Sequence, residues 1–377
     1  MPSYSGVWTL QAQMQAVAAG TWTGQPQLFA WGANTAGGLG INNTVSGSSP
    51  VQVGALSTWS KVATSSLFSA AILNNGTMFA WGSNYYGSLG LNDRTDRSSP
   101  VQVGSTADWY QVTCGEKQTS AIKTNGSLWS WGYNDQGQLG QTSTIRRSSP
   151  VQVGALTNWH ETSMGAAFAV ARKTDGTLWT WGLNDIGQLG LNNTANRSSP
   201  VQVGALTTWS KISAGAAHCL VIKTDGTLWS WGRNSSGELG LNDTSYRSSP
   251  VQVGALTDWM QVSGGSNHSI AVKTNGTLWA WGRGQDGRLG LNDTANRSSP
   301  VQVGALTAWG NVYAGGGFSR AVKTDGTLWT WGENGSGQLG QNNRIYRSSP
   351  VQVGALSTWL VLSKGASATR VLAIKTT

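Results

Sequence analysis

The stretch KTDGTLWSWG at residues 223–232 decides the fold, because it returns as KTNGSLWSWG at 123–132, KTDGTLWTWG at 173–182, KTNGTLWAWG at 273–282 and KTDGTLWTWG at 323–332. A phrase repeated every 50 residues without a slip in register marks a structural unit stacked on copies of itself. Trp-Gly falls at 31, 81, 131, 181, 231, 281 and 331, and SSPVQVG begins at 48, 98, 148, 198, 248, 298 and 348, so the array holds seven copies. A third series, Trp59, Trp109, Trp159, Trp209, Trp259, Trp309 and Trp359, follows each VQVG segment.

The unit at 198–247 predicts four short strands. PVQVG alternates like an edge strand opened by Pro200, and WSKISAG and HCLVIKT are two β-rich runs separated by glycine and small residues. Asp225-Gly226 predicts a two-residue primed turn into TLWSWG, so the quoted phrase reads as the hairpin joining the unit's last two strands. RNSSGELGLNDTSYRSS then loops to the next unit.

Coils of a β-solenoid take about 20 to 30 residues, whereas four-stranded blades in rings of about 4 to 8 fit both the length and the count. The expected fold class is therefore all-β, a seven-bladed β-propeller of four-stranded antiparallel blades. Its ends predict closure: the segment Trp359 to Lys375 stops where a third strand is due, and QLFAWG at 27–32 has that strand's pattern. The N- and C-terminal strands are expected to share one blade, with two extra residues in the tail. The expected organisation is a leader or docking segment at 1–26 and a propeller at 27–377.

Composition narrows the function. Charged residues make up 11% of the 377, against about 25% in ordinary soluble proteins. The net charge of +9 comes from scarce acids and forms no block, so a nucleic-acid partner is not expected. No apolar run reaches the ~18 residues of a membrane span, and no basic start leads into an apolar core, so neither membrane insertion nor a signal peptide is expected. A neutral, hydroxyl- and amide-rich exterior suggests a virion or extracellular surface. Cys114 and Cys219 occupy different repeat positions and read as small buried fillers.

A residue kept in every unit is there for packing, so chemistry is sought where units differ. His218 and His268 share a slot that holds Phe68, Gln118, Phe168 and Phe318 elsewhere, which makes it a packing slot; His160 stands apart. Three histidines in two kinds of position make no multi-His metal centre, and no nucleophile pair or carboxylate set appears. No catalytic residue, cofactor or metal is expected. Arg97, Arg147, Arg197, Arg247, Arg297 and Arg347 precede SSP in six of the seven copies, either as an anion-binding ring or as ties for their own loops. After Trp-Gly the loops read ANTA, SNYY, YNDQ, LNDI, RNSS, RGQD and ENGS. These variable loops nominate Tyr85, Tyr86, Tyr133, Arg233, Arg283 and Asp286 as partner-binding residues.

The run HCLVIKTDGTLWSWGRNSSGELGLNDT at 218–244, with its copies, resembles the repeat of the regulator of chromosome condensation family, and the likeness covers residues 27 to 375. The resemblance implies a seven-bladed propeller. The family's eukaryotic founder exchanges nucleotide on a small nuclear GTPase through an inserted β-wedge, and binds chromatin through another face and a basic tail. The units from 48 to 347 are uniformly 50 residues, with no room for a wedge, and the chain ends AIKTT. The leader SGVWTLQAQMQAVAAGTW resembles N-terminal segments of structural proteins of marine bacteriophages.

The expected function is a non-enzymatic interaction scaffold, a bacteriophage virion structural or host-surface component. It would contact a protein partner or surface glycan through propeller loops, with residues 1–26 docking to another structural subunit. The alternatives are a nucleotide-exchange or chromatin-type regulator and a multivalent lectin-like binder.

Overall fold

In the repeated phrase KTDGTLWSWG, each polar side chain holds the next. Asp225 accepts hydrogen bonds from Thr227 N (2.9 Å) and Thr227 Oγ1 (2.6 Å), and Thr227 Oγ1 accepts one from Trp229 Nε1 (3.0 Å). Lys223 Nζ lies 3.7 Å from the Trp229 ring centroid, a cation–π contact that caps the indole. The turn corrects the expected geometry. Gly226 alone has positive φ (+77°), Gly226 N donates to Lys223 O (3.0 Å) and Lys223 N donates to Thr227 O (3.0 Å). This is a type I turn closed by a left-handed glycine, because Asp225 keeps a negative φ while its carboxylate reaches forward to Thr227.

The computed structural model describes residues 25–376, which form seven four-stranded antiparallel sheets. Six blades are consecutive: 59–102, 109–152, 159–202, 209–252, 259–302 and 309–352; the seventh joins 359–375 to 27–57. Most of the expected leader lies outside the described residues.

Strand order corrects the unit boundaries. Trp209–Ala214 pairs with His218–Lys223, that strand with Leu228–Gly232, and Leu228–Gly232 with Arg247–Gln252. SSPVQ therefore completes the blade that precedes it, and the quoted hairpin joins the second and third strands. Pro250 sits inside that outer strand, where the ladder breaks between the Ser230 and Gly232 pairings, as an edge bulge permits.

Blades bury their faces against one another. One apolar cluster combines Phe168, Val170 and Leu178 of the third blade with Trp209, Ile212, Val221 and Trp231 of the fourth. Trp231 is fully buried, packs edge-on to Trp209 at 6.4 Å, and donates from Nε1 to Gln188 O (3.1 Å) in the preceding loop. Gly190 makes that approach possible: its φ is +70°, and a Cβ there would stand 2.7 Å from Trp231 Nε1. The loop is further tied to the next blade by Asn192 N donating to Ser248 O (2.7 Å). Trp231→Ala should cost about 3–5 kcal/mol, read as a fall in the urea midpoint, because it removes both an inter-blade indole and its hydrogen bond.

The ring closes as expected. Gln27–Gly32 pairs along its whole length with Arg370–Lys375, and Trp31 Nε1 donates to Gln338 O (3.0 Å) across 307 residues of sequence. On the channel side, Thr64 N donates to Lys364 O (3.0 Å), beside a parallel bridge between Ala63 and Lys364. The two extra tail residues enlarge the turn between the closing blade's inner and second strands.

Candidate interaction face

Inner turns such as 65–67 and the loops after each Trp-Gly emerge on the same side of the ring, since Ser83 N donates to Leu67 O (3.1 Å) and Tyr133 N to Lys117 O (3.0 Å). Hairpins such as 224–226 emerge on the other side.

On the loop side the structure gathers three nominated residues. Tyr85 meets Tyr86 edge-on at 4.8 Å, and Tyr86 meets Tyr133 at 5.0 Å. Arg146 lies over both Tyr86 (5.4 Å) and Tyr133 (4.7 Å), and Lys117 lies 5.4 Å and 5.6 Å from the same rings. Asp135 anchors Arg146 through two bonds, 2.8 Å from Nε and 2.5 Å from Nη2. The Arg146 hydrogen bonds hold the Asp135 carboxyl below the usual carboxylate range, while partial burial and the bond to Asp135 raise the Tyr133 hydroxyl. Tyr85 is left 68% exposed, an aromatic edge available for contact. Lys117, Asp135 and Arg146 come from three separate stretches of one blade, so no local motif signals that they meet.

Arg233, Arg283 and Asp286 stand in the loops of the fourth and fifth blades, apart from the tyrosine corner. Arg233 Nε donates to Ser235 Oγ (3.0 Å) and lies 3.3 Å from Oε1 of the buried Glu238. Burial raises the Glu238 carboxyl above its usual range. Arg283 contacts Gln285, and Asp286 accepts Arg288 Nη2 at 2.7 Å.

An RCC1-like domain profile matches residues 105–373, and regulator of chromosome condensation (RCC1) repeat profiles match 27–72, 75–122 and 59–88. The chain belongs to the RCC1-like domain family. No curated protein matches it in a sequence search. Among solved structures, human WBSCR16 is 19% identical over 93% of this chain and 99% of its own, with a TM-score of 0.84. Yeast RCC1 (Prp20), solved bound to Kap60, is also 19% identical, over 94% of this chain and 89% of its own, at 0.82. Prp20p from Saccharomyces cerevisiae, described with its binding to Gsp1p and histones, gives 20% identity, 94% and 92% coverage, and 0.82.

In this RCC1-like propeller the histidine slot is internal. His218 and His268 are fully buried and contact Ser269 Oγ (3.0 Å) and Ser319 Oγ (2.9 Å) of the following blade. Ser269 spends its proton on Glu238 O (2.7 Å), so the His218 proton resides on Nε2. Burial lowers the His218 pKa to about 3 and pulls that of His268 well below the ordinary value. The unfolded chain, with histidines titrating near 6.5, binds protons that the folded one refuses. Stability should therefore be intact above about pH 6.5 and fall below it, by up to about 1.4 kcal/mol per pH unit per histidine. Urea midpoints between pH 7 and 4.5 check this, and His218→Phe/His268→Phe should flatten the profile. The seventh occupant of the slot, concealed by the two-residue insertion, is the fully buried Arg370, which pairs with Gly32 as His218 does with Gly232.

The arginine series divides. Arg97, Arg247 and Arg297 pair with Asp93, Asp243 and Asp293 in their own loops at 2.6, 2.5 and 2.5 Å. Arg197 Nη1 donates to Asn196 O (3.2 Å). Arg147 and Arg347 each bury an Nε without an acceptor. An anion at this rim would compete with three aspartates. His160 is exposed at the channel mouth, and Cys114 and Cys219 are buried free thiols. Among the described residues no cluster could hold a metal, and no helix is long and apolar enough to cross a membrane.

Proposed function

We propose that this RCC1-like propeller is a non-enzymatic binding platform that recognises a protein partner or a surface glycan through its loop side, as a structural or host-surface component of a virion. The observation that carries the reading is the Tyr85–Tyr86–Tyr133 corner, braced by Lys117 and the Asp135-anchored Arg146. Rigid aromatic groups beside a fixed guanidinium supply contact area at little entropic cost, which is why Tyr and Arg dominate binding hot spots. The sparse charge of the whole chain supports placement on an exterior surface, and the protein contacts described for Prp20p support a protein partner.

Among the described residues the corner forms only where the loops of the first and second blades meet, so one site per chain is expected. Glycan arrays and host-envelope binding by the labelled protein should show saturable binding that Tyr85→Ala/Tyr86→Ala/Tyr133→Ala weakens at least about tenfold. The protein should leave nucleotide release from small GTPases unaccelerated, because no blade between 48 and 347 carries an inserted element. Accelerated release, or unchanged binding by the triple variant, would defeat the proposal.

A further inference from the structure

We infer that the hairpin-side mouth of the axial channel is a binding site for a tetrahedral oxyanion, free or carried as a monoester. Here the inner strands surround a cavity of about 290 Å³ lined by Lys61, Arg172, Lys211 and Lys364, with Glu161 as its one carboxylate. That volume lies near the lower end of the ~300–1,000 Å³ typical of ligand sites and suits a compact ligand.

The cations are not balanced by their surroundings. Glu161 stands directly across the ladder from Arg172, yet its carboxylate lies beside Lys364 Nζ at 3.7 Å. Arg172 instead donates from Nη2 to His160 Nδ1 (2.7 Å), and its buried Nε has no acceptor. Partial desolvation at the cavity wall and the Arg172 charge both lower the His160 pKa, which suits a neutral ring accepting that bond. Among the described residues Lys61 and Lys211 have no salt-bridge partner. Three uncompensated cations converging on a concave mouth repel one another, and a low-dielectric wall focuses their field on whatever anion enters.

Comparison among blades shows that two of these charges depart from the repeat. Where Arg172 stands, the other blades carry Ile72, Ile122, Ile222, Val272, Val322 and Ile374. Where Lys364 stands, they carry Thr64, Cys114, Met164, Ala214, Gly264 and Ala314. Packing alone is satisfied by an aliphatic residue at the first position and a small or apolar one at the second. Both departures point into the same cavity, together with Lys61 and Lys211 from the inner strands of the first and fourth blades.

The test is isothermal titration of the full chain with inorganic phosphate and, separately, glycerol 3-phosphate. One site per chain is expected, with affinity falling as salt shortens the Debye length from about 30 Å at 0.01 M to about 8 Å at 0.15 M. Arg172→Ile, which installs the neighbouring blades' residue, and Lys364→Ala, which also frees the Glu161 carboxylate, should each weaken binding by about tenfold or more. Arg94→Ala, in an exposed loop outside this lining, should not. The tighter of the two probes identifies the ligand as free ion or monoester. Absence of saturable heat with both probes overturns the inference, as does unchanged affinity in Arg172→Ile and Lys364→Ala proteins that melt like the wild type.

Discussion

Truncating the chain after Leu362 is expected to abolish its cooperative unfolding transition. The deleted strand Arg370–Lys375 pairs on one side with Trp359–Leu362 and on the other with Gln27–Gly32, so its loss strips both neighbours of their ladder. Val371, Leu372 and Ile374 leave with it, all essentially fully buried in the two clusters that flank the closing blade. At about 1.5–3 kcal/mol for each fully buried aliphatic side chain, these three alone approach the ~5–15 kcal/mol that holds a typical native state together. Calorimetry and tryptophan fluorescence in urea are the measurements. A truncated protein with the parent's midpoint and slope would show that the seam contributes nothing.

The second large effect is expected at Gly38. Its φ of −63° suits any residue, and the corresponding positions of the other blades carry Ser88, Gln138, Gln188, Glu238, Arg288 and Gln338. A Cβ there, however, would stand 1.4 Å from Arg370 Nη1. The guanidinium cannot retreat cheaply: it is fully buried, donates from Nη2 to Ser66 O (2.9 Å), and has no acceptor at Nε or Nη1. Burial pushes its pKa down to about 10, so it still carries charge at neutral pH. Gly38→Gln should thus cost about 3 kcal/mol, the upper range for overpacking, although it writes the repeat's own residue. Arg370→Phe, borrowing the residue of Phe68, Phe168 and Phe318, should be neutral or stabilising, because it removes a buried charge that has no carboxylate partner. Combining the two should recover most of the loss, and the double-mutant cycle of melting temperatures reports the coupling. Independent, additive effects would show that Gly38 and Arg370 do not share the space assigned to them.

Blade number, ring closure and the packing role of the histidine slot were legible in the sequence because they rest on periodicity, which survives inspection one residue type at a time. The hairpin was legible as a turn but not as its type, since Asp225 reaches Thr227 only once the backbone has left the primed geometry. Blade boundaries were misplaced because SSPVQVG precedes each Trp in the text, whereas its backbone partners are Trp229 and Ser230, already behind it. The tyrosine corner was half visible: Tyr85, Tyr86 and Tyr133 announce themselves as aromatic letters in loops. Lys117 and Arg146 look like ordinary surface cations until folding sets them over the rings. The channel mouth was invisible for the same reason. Arg172 and Lys364 are 192 positions apart and meet only because the ring returns to its start.

That return also sets a timetable for biosynthesis. The strand Gln27–Gly32 is synthesised before the six consecutive blades, yet its ladder partner, Arg370–Lys375, is synthesised after them. Until Arg370–Lys375 emerges, the nascent chain carries an open, apolar strand edge beside six blades able to assemble in order, with near-copies of the missing partner in every one of them. Chaperone demand and mispairing between chains on one polysome should therefore concentrate on the newborn N-terminal edge.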